Sequence, residues 1–323
     1  MKRAILTTSL SLLLVVSLGY SYVSWVLTAR DLPRIATARS VEARESQRWV
    51  FVGDVHGMYD EFEQLLRQVG AAGFEVDATL NVASPPPQVV LLGDFISKGP
   101  HSAKVLEYLF AHLDSTHCVL GNHEVNVLFA WLNAHESRPG RRHYNPVAFS
   151  TEDYVPPVED VNAHHHRLAR QLGHRALSQL AAHCSASLRV QLAPGDDAPE
   201  GKAPRDSALY GVHAGLLPEH LDLESAPLKE LTNMKYVDKR DHSHTSKTPI
   251  KHGVPWYKLW DALPASAPTV LYGHDAKTGH NIRRHTKGLD TGCFAGDRLT
   301  ALEYYFHKGR WRTREHHVLC RAP

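Results

Sequence analysis

The stretch Val50-Phe51-Val52-Gly53-Asp54-Val55-His56-Gly57 joins a short apolar run to a polar turn that holds a carboxylate and an imidazole. A continuous apolar run of this length is typical of a strand buried on both faces. In open α/β sheets, ligands bind beyond the carboxyl ends of the strands, where such turns lie. This stretch therefore predicts an α/β protein with its functional site at the strand ends.

The same pattern recurs along the chain. Four further apolar runs, at residues 89–92, 118–120, 209–212 and 270–272, are each followed within two residues by Asp, His or Asn. Helical stretches are predicted between some of these runs, at residues 59–69, 102–112, 125–132 and 168–183. This succession of elements predicts a layered α/β sandwich.

The turns after these runs supply a mixed set of oxygen and nitrogen ligands. The candidate residues are Asp54, His56, Asp94, Asn122, His123, His213 and His274. Carboxylate, amide and imidazole donors in one site suit Mn²⁺, Fe²⁺ or Zn²⁺. Two metals about 3.5–4 Å apart need a shared ligand, and a carboxylate has two oxygens with which to bridge them. Any one of these histidines alone would be read as structural, but five such turns in order predict a two-metal site.

In chain order, the motifs GDxHG (53–57), GDxxxxGP (93–100) and GNHE (121–124), followed by His213 and His274, resemble the signature of the calcineurin-like metallophosphoesterases, in their phosphoprotein-phosphatase branch. The resemblance implies a four-layer α/β/β/α sandwich and two divalent metal ions, drawn from Zn, Mn, Co, Fe and Mg. It also implies in-line attack on phosphorus by a water held between the metals. One metal would be held by Asp54, His56 and Asp94, and the other by Asp94, Asn122, His213 and His274, with His123 as the proton donor.

The second motif departs from the protein-phosphatase pattern GDxVDRG. Lys98 stands in place of the arginine that grips phosphate, and Ser97 replaces the aspartate that orients the donor histidine. Lysine offers a point charge where arginine offers a bidentate fork. The ending Leu289-Asp290-Thr291-Gly292-Cys293 resembles that of the bacterial diadenosine tetraphosphatases, and the lysine form of the second motif resembles the eukaryotic ApaH-like phosphatases. Within these, residues 51–62, 89–100, 233–238 and 272–302 most resemble the membrane-anchored, zinc-dependent endopolyphosphatases of the vacuole.

The basic residues are concentrated near the site. Residues 229–287 hold eleven Lys/Arg and five Asp/Glu, a local excess of +6. A basic wall attracts polyanions, so we expect a substrate with several phosphates, most simply inorganic polyphosphate, with Lys98 and Lys235 as phosphate contacts. A phosphoprotein, or a dinucleoside polyphosphate or RNA cap, remains the alternative substrate, and a metal-binding adaptor without turnover is the alternative outside the enzymes. Trp256, Tyr257 and Trp260 suit either core packing or a platform for stacking bases, and the latter would favour nucleotides.

Composition limits the class of protein. The 323 residues carry 36 Lys+Arg and 34 Asp+Glu, a net charge of +2, and 43% are hydrophobic. These values exclude a disordered chain. They also argue against a nucleic-acid partner, because dedicated nucleic-acid binders are usually strongly basic.

The first thirty residues form a separate unit. After Lys2 and Arg3 no charge occurs through residue 27, and as a helix this run would be about 36 Å long, enough to cross a ~30 Å hydrocarbon layer. It predicts either a signal anchor that holds the protein on a membrane or a signal peptide cleaved near Ser17 and Gly19. In both cases the remainder would face a lumen, and the endopolyphosphatase resemblance implies a vacuole-like one.

The expected organisation is therefore residues 1–30 as anchor or signal peptide, 31–48 as linker, 49–310 as the metallophosphoesterase domain with a flexible loop at 193–207, and 311–323 as a C-terminal tail. The four cysteines have no CxxC spacing and are expected to be buried small hydrophobes. The run His164-His165-His166 is interpreted as a solvated helix face or, alternatively, as a metal-binding tract.

Overall fold

The computed structural model describes residues 17–19, 32–74, 85–135, 156–193 and 208–323. The hydrophobic helix expected within residues 1–30 lies outside these residues except at 17–19, and the expected loop at 193–207 lies outside them except at residue 193. Within the described ranges, the model contains no helix with the length and apolar character needed to cross a bilayer.

One sheet contains five strands: β2 (Trp49–Val52), β3 (Gln88–Leu91), β4 (Thr116–Cys118), β13 (Arg298–His307) and β14 (Arg310–Leu319). Their order is β14-β13-β2-β3-β4. β2, β3 and β4 are parallel, and β13 and β14 join antiparallel at one edge. The apolar runs at 50–52 and 89–92 thus form the two neighbouring strands at the middle of this sheet.

The second sheet contains six strands: β1 (Ala36–Ala43), β5 (Ser185–Leu192), β6 (Ala208–Val212), β10 (Thr269–Tyr272), β11 (Asn281–Ile282) and β12 (Thr286–Gly288). Their order is β1-β5-β6-β10-β12-β11. Both sheets are mixed, with β6, β10 and β12 parallel to one another and β5 antiparallel to β6.

Alternation along the strands packs the two sheets face to face. In β2, Trp49 and Phe51 belong to a cluster that also holds Leu209 and Leu271 of the other sheet. Val50 points the opposite way, into the larger cluster shared with the helices. Since side chains along a strand alternate between faces, strands that are apolar throughout are buried on both sides here.

Five helices accompany the sheets: α1 (Tyr59–Val69), α2 (Ser102–Ala111), α3 (Asn122–His135), α4 (Ala163–His183) and α5 (Leu228–Asn233). α1 buries Phe62, Leu65, Leu66 and Val69 along one face, the i, i+3, i+4 spacing of an amphipathic helix. It ends at Gly70, whose left-handed backbone (φ 65°) suits glycine. The four helices predicted from periodicity correspond to α1–α4.

A smaller layer covers the outer face of the six-stranded sheet. It holds α5, a three-stranded sheet of β7 (Tyr236–Asp238), β8 (Thr245–Ser246) and β9 (Gly253–Pro255), and the 3-10 helix Trp256–Ala262. The ring of Trp256 packs edge-on against Tyr272 of β10 with centroids 4.9 Å apart. Trp260 is fully buried and its Nε1 donates to the Leu216 carbonyl at 2.7 Å. Both tryptophans of the aromatic run therefore pack into the core, and Tyr257 packs partly buried against it.

Both flanking segments differ from the expectation. The segment expected as a linker contributes β1, which pairs in parallel with β5, and the segment expected as a tail contributes β14 at the edge of the five-stranded sheet. β14 reads RWRTREHHVL and most of it is exposed. Edge strands are often rich in charge, so this one lacks the continuous apolar run by which the inner strands were found.

The four cysteines are buried, as expected, but they form disulfides, which was not expected. Cys118 pairs with Cys184, and Cys293 pairs with Cys320. The first bridge joins the end of β4 to the residue after α4, and the second joins a loop beside the site to the end of β14. Sequence spacing gave no sign of either bridge because the partners are 66 and 27 residues apart and meet only through the sheet pairing.

Candidate metal centre

The candidate ligands all lie beyond the carboxyl ends of parallel strands. Asp54 and His56 follow β2, Asp94 follows β3, Asn122 and His123 follow β4, His213 follows β6 and His274 follows β10. Because these strands lie side by side within the two facing sheets, their ends open on one cleft. The structure thus brings all seven residues together.

Four of these residues form the tighter group. The Nε2 atom of His213 lies 3.1 Å from Asn122 Oδ1, 3.1 Å from His274 Nδ1 and 3.4 Å from Asp94 Oδ2. The other ring nitrogen of His213 lies 2.9 Å from the Leu92 carbonyl, which can only accept, so Nδ1 carries the hydrogen and Nε2 is the atom that faces the group. Lone pairs that converge at these distances repel one another unless a cation lies among them. The donor set therefore fits a divalent metal.

The electrostatics of His213 support the same conclusion. Burial disfavours a charged ring, but attraction to Asp94 outweighs it and raises the pKa of His213 to about 10. Although burial acts in the opposite direction, His213 and His123 together hold the pKa of the Asp94 carboxyl well below its usual range. The site thus favours positive charge at the position where these side chains meet.

A second group shares Asp94 with the first. His56 Nε2 lies 3.7 Å from Asp54 Oδ2 and 3.8 Å from Asp94 Oδ2. Burial lowers the pKa of His56 to about 3 despite the attraction of Asp94, so the ring is neutral and can act as a ligand. Asp94 Oδ2 faces both groups, which is the position of a bridging carboxylate.

Close backbone approach makes this geometry possible. A Cβ atom on Gly121 would overlap Asp94 Oδ1, and one on Gly273 would overlap Asp54 Oδ1. Asp94, His56 and His274 themselves have positive φ values of 49°, 48° and 67°. Non-glycine residues in this region are strained and cluster at functional sites.

Glu124 ties the ligand-bearing turns together. Its carboxylate accepts hydrogen bonds from the backbone N–H groups of Asp94 (2.7 Å), Gly121 (2.8 Å) and Ile96 (3.0 Å). Burial and the nearby Asp94 charge raise the pKa of Glu124 to about 7. The GNHE motif contains this glutamate, but nothing in the local pattern of residues indicates its positioning role.

The histidine run is not simply a solvated helix face. His165 is 1% exposed, and its Nε2 lies 2.9 Å from His123 Nδ1. The Nε2 atom of His164 accepts the backbone N–H of Lys98 at 3.1 Å. The first turn of α4 therefore contacts the site, which periodicity could not reveal because it depends on where α4 lies in the fold.

The two expected phosphate contacts both line the cleft, a cavity of about 310 Å³. The Nζ atom of Lys98 lies 2.8 Å from His56 Nε2, and that of Lys235 lies 3.1 Å from Asp275 Oδ1. Lys277, Asp290 and Phe294 line the same cavity without having been singled out from the sequence. Lys247 and Arg283 of the basic segment pair with Asp160 and Asp261 and do not line this cavity.

Comparison with known proteins places this geometry in a family. Residues 48–290 match the model of the calcineurin-like phosphoesterases. The chain is 40% identical over 294 residues to the zinc-dependent endopolyphosphatase of Saccharomyces cerevisiae, covering 87% of this chain and 84% of the yeast protein. It is 26% identical over 286 residues to the symmetrical bis(5'-nucleosyl)-tetraphosphatase of Delftia acidovorans, covering 79% and 92% of the two chains.

Among solved structures, a crystal structure assigned to a diadenosine tetraphosphatase superposes with a TM-score of 0.56 at 23% identity, over 86% of this chain and 98% of the other. At this identity the likeness bears on the fold alone. With the family match over three quarters of the chain and two groups of side chains that could hold a metal and share Asp94, the protein is a member of the calcineurin-like phosphoesterase family.

Proposed function

We propose that this protein is an endopolyphosphatase that hydrolyses phosphoanhydride bonds inside inorganic polyphosphate chains. The observation that carries the proposal is the set of three lysines, Lys98, Lys235 and Lys277, on the wall of the metal-site cavity. A chain of phosphates presents a negative charge at every unit, so separate lysines can hold successive units. The 40% identity to a zinc-dependent endopolyphosphatase supports the same substrate.

The residues divide into ligands and groups that handle the substrate. Asp54, His56 and Asp94 are proposed to hold one metal, and Asp94, Asn122, His213 and His274 the other. When bound, such a metal pair polarises the phosphoryl oxygens and makes a water nucleophilic near neutral pH.

The remaining groups position the substrate. Lys98, whose Nζ lies 2.8 Å from His56 Nε2, is proposed to bind the phosphoryl group that is attacked. Lys235 and Lys277 hold the phosphates on either side of the cut. His123, whose Nε2 lies 3.9 Å from Asp94 Oδ2, is proposed to donate a hydrogen bond or proton to the leaving oxygen.

The aromatic residues weigh against a nucleotide substrate. Trp256 and Trp260 are buried in the core, and neither lines the cavity. Among the described residues that line it, Phe294 is the one Phe, Tyr or Trp, and the Lys98 ammonium lies 5.9 Å from its ring centroid. Dinucleoside polyphosphates are therefore the second candidate substrates, with Phe294 as the surface on which a base would stack.

The disulfides support the proposed location. Two bridges join all four cysteines, and disulfides persist in oxidising compartments but are rare in the cytosol. We therefore place the catalytic domain in a lumen of the secretory pathway, most simply a vacuole-like one, with residues 1–30 as the membrane anchor or signal peptide.

Parallel assays of the purified full chain test the substrate. Long-chain polyphosphate, diadenosine tetraphosphate and a phosphoserine peptide are each incubated with Zn²⁺, Mn²⁺, Co²⁺ or Mg²⁺, and product lengths are resolved on gels. We expect polyphosphate to be cut to intermediate lengths. Cleavage of the phosphopeptide alone, or release of phosphate only from chain ends, would contradict the proposal.

Two lysine variants, one inside the cavity and one outside it, test whether the cavity lysines select the substrate. Lys277→Ala is expected to raise KM for polyphosphate about tenfold and to weaken its salt dependence, because a charge in the cavity is lost. Lys247→Ala, which removes a lysine paired with Asp160 outside this cavity, is the control and should leave KM within about twofold. Equal KM values for the two variants would show that the cavity lysines do not select the substrate.

A further inference from the structure

The partner of His123 differs from the one expected in this family. In the protein-phosphatase pattern an aspartate in the second motif orients the donor histidine, and Ser97 occupies that position here. Ser97 is fully buried, and its hydroxyl has no hydrogen-bond partner among the described residues. Its backbone N–H donates to Ser102 Oγ at 2.9 Å. The side chain of Ser97 therefore does not hold His123 in place.

His165, at the start of α4, contacts His123 instead. Asn162 caps this helix, and its side-chain oxygen accepts the backbone N–H groups of His164 and His165. In return, the Asn162 backbone N–H donates to His165 Nδ1 at 3.2 Å. This reciprocal arrangement is a capping box, and it anchors the His165 ring at a fixed point beside the metal site.

The hydrogen bonds of His165 determine which nitrogen carries hydrogen. A backbone N–H can only donate, so His165 Nδ1 must accept, and a protonated ring would place two donors against each other. His165 therefore carries its hydrogen on Nε2, which lies 2.9 Å from His123 Nδ1. It donates there, so His123 Nδ1 accepts and the hydrogen of His123 is on Nε2.

The Nε2 atom of His123 is the one that faces the shared ligand Asp94, at 3.9 Å from Oδ2, and His123 lines the cavity. The backbone N–H of His123 also donates to Asp94 Oδ1 at 2.9 Å, which fixes the backbone of His123 relative to the proposed bridging carboxylate. From this chain of contacts we infer that His165 is a positioning residue that holds His123 as a neutral ring with its hydrogen on Nε2, directed at the leaving oxygen.

This inference rests on the proposed role of His123 and adds a preference for leaving groups. A carboxylate partner favours a charged imidazolium, whereas a donor at Nδ1 favours a neutral ring that donates from Nε2. Neutral imidazoles serve as hydrogen-bond donors in other enzymes. The leaving group of a phosphoanhydride is a phosphate, with a pKa near 6 when monosubstituted, which needs less proton transfer than an alkoxide. The arrangement therefore suits anhydrides better than serine phosphoesters.

Two substitutions separate this role from helix capping. Gln and Glu both satisfy a capping box at this position, but only the amide of His165→Gln can also donate to His123 Nδ1. In His165→Glu the carboxylate draws the hydrogen of His123 onto Nδ1. His166→Gln, in the next residue of the same run, is the control.

The first measurement is the ¹⁵N NMR of the histidine rings at about pH 8, with and without Zn²⁺, where His123→Ala identifies the His123 signals. In the wild type and His165→Gln we expect an unprotonated Nδ1 and a protonated Nε2 on His123, and in His165→Glu a protonated Nδ1. A protonated Nδ1 in the wild type would overturn the inference, as would identical His123 signals in the Gln and Glu variants.

The second measurement is kcat at the same pH on polyphosphate and on aryl phosphates with acidic and basic phenols. His165→Gln should stay within about threefold of the wild type, while His165→Glu should lose at least about tenfold on the basic phenol, with KM unchanged, since a general acid contributes about 10²–10⁴-fold. Equal kcat values for both variants would reduce His165 to a capping residue. If His123→Ala leaves kcat unchanged on every substrate, the donor role under the proposed function fails instead.

Discussion

The two disulfides are expected to contribute unequally to stability. In the chain-entropy description, a bridge stabilises by shortening the unfolded chain, and its effect grows with the length of the closed loop. Cys118–Cys184 spans 66 residues and Cys293–Cys320 spans 27. The corresponding contributions at 25 °C are about 4.4 and 3.6 kcal/mol. Either value is a large fraction of the roughly 5–15 kcal/mol by which a folded protein is stable.

The assay compares double alanine variants, Cys118→Ala/Cys184→Ala and Cys293→Ala/Cys320→Ala, with the wild type in thermal unfolding followed by tryptophan fluorescence. The second variant should melt roughly 5 °C below the wild type, at about 1.5 °C per kcal/mol for a chain of 323 residues, and the first somewhat lower. Reductant breaks both bridges, so the reduced wild type should be less stable than either double variant without reductant. Unchanged midpoints in both variants and in reduced wild type would refute the stabilising role of the bridges.

Two further predictions concern charge. Asp94→Asn should reduce bound zinc from two ions to one or none, measured by mass spectrometry of dialysed protein, because the shared ligand is weakened; retention of two would contradict the bridging assignment. Although burial opposes it, hydrogen bonds from His316 and Arg48 hold the pKa of Glu303 below its ordinary value. Such a group stabilises above its unfolded pKa of about 4.3. Glu303→Gln should thus cost roughly 2 kcal/mol at pH 7, and the difference from wild type should shrink as pH falls below 4 in urea titrations; a constant difference would contradict it.

Much of the fold followed from local pattern. The inner strands of both sheets are continuous apolar runs because two faces bury them, and helix α1 has a clear amphipathic period. The apolar run and the amphipathic period are both recognisable within a few consecutive residues. The edge strands β1 and β14 have mixed burial and carry no such signal, so their membership in the sheets depends on pairing with distant strands.

The residues of the candidate site also divide into those predictable from local sequence and those that depend on distant contacts. The positions of the proposed ligands were predictable because each lies in the turn that follows a strand, and parallel strands end at a common edge. Glu124, His165 and Lys277 were missed because their roles depend on contacts with other turns and with α4. The four cysteines were misread for the same reason, since neither pair is adjacent in sequence.

The amino-acid sequence by itself determined the family, the succession of strands and the residues that meet at their ends, because burial and turn chemistry are local properties of a chain. Tertiary structure decided which groups surround those residues. It packed the first turn of α4 against His123, placed three lysines around the cavity of the site, and joined the cysteines in pairs. These features depend on distances of a few ångströms between segments far apart in sequence, and only the folded chain fixes such distances.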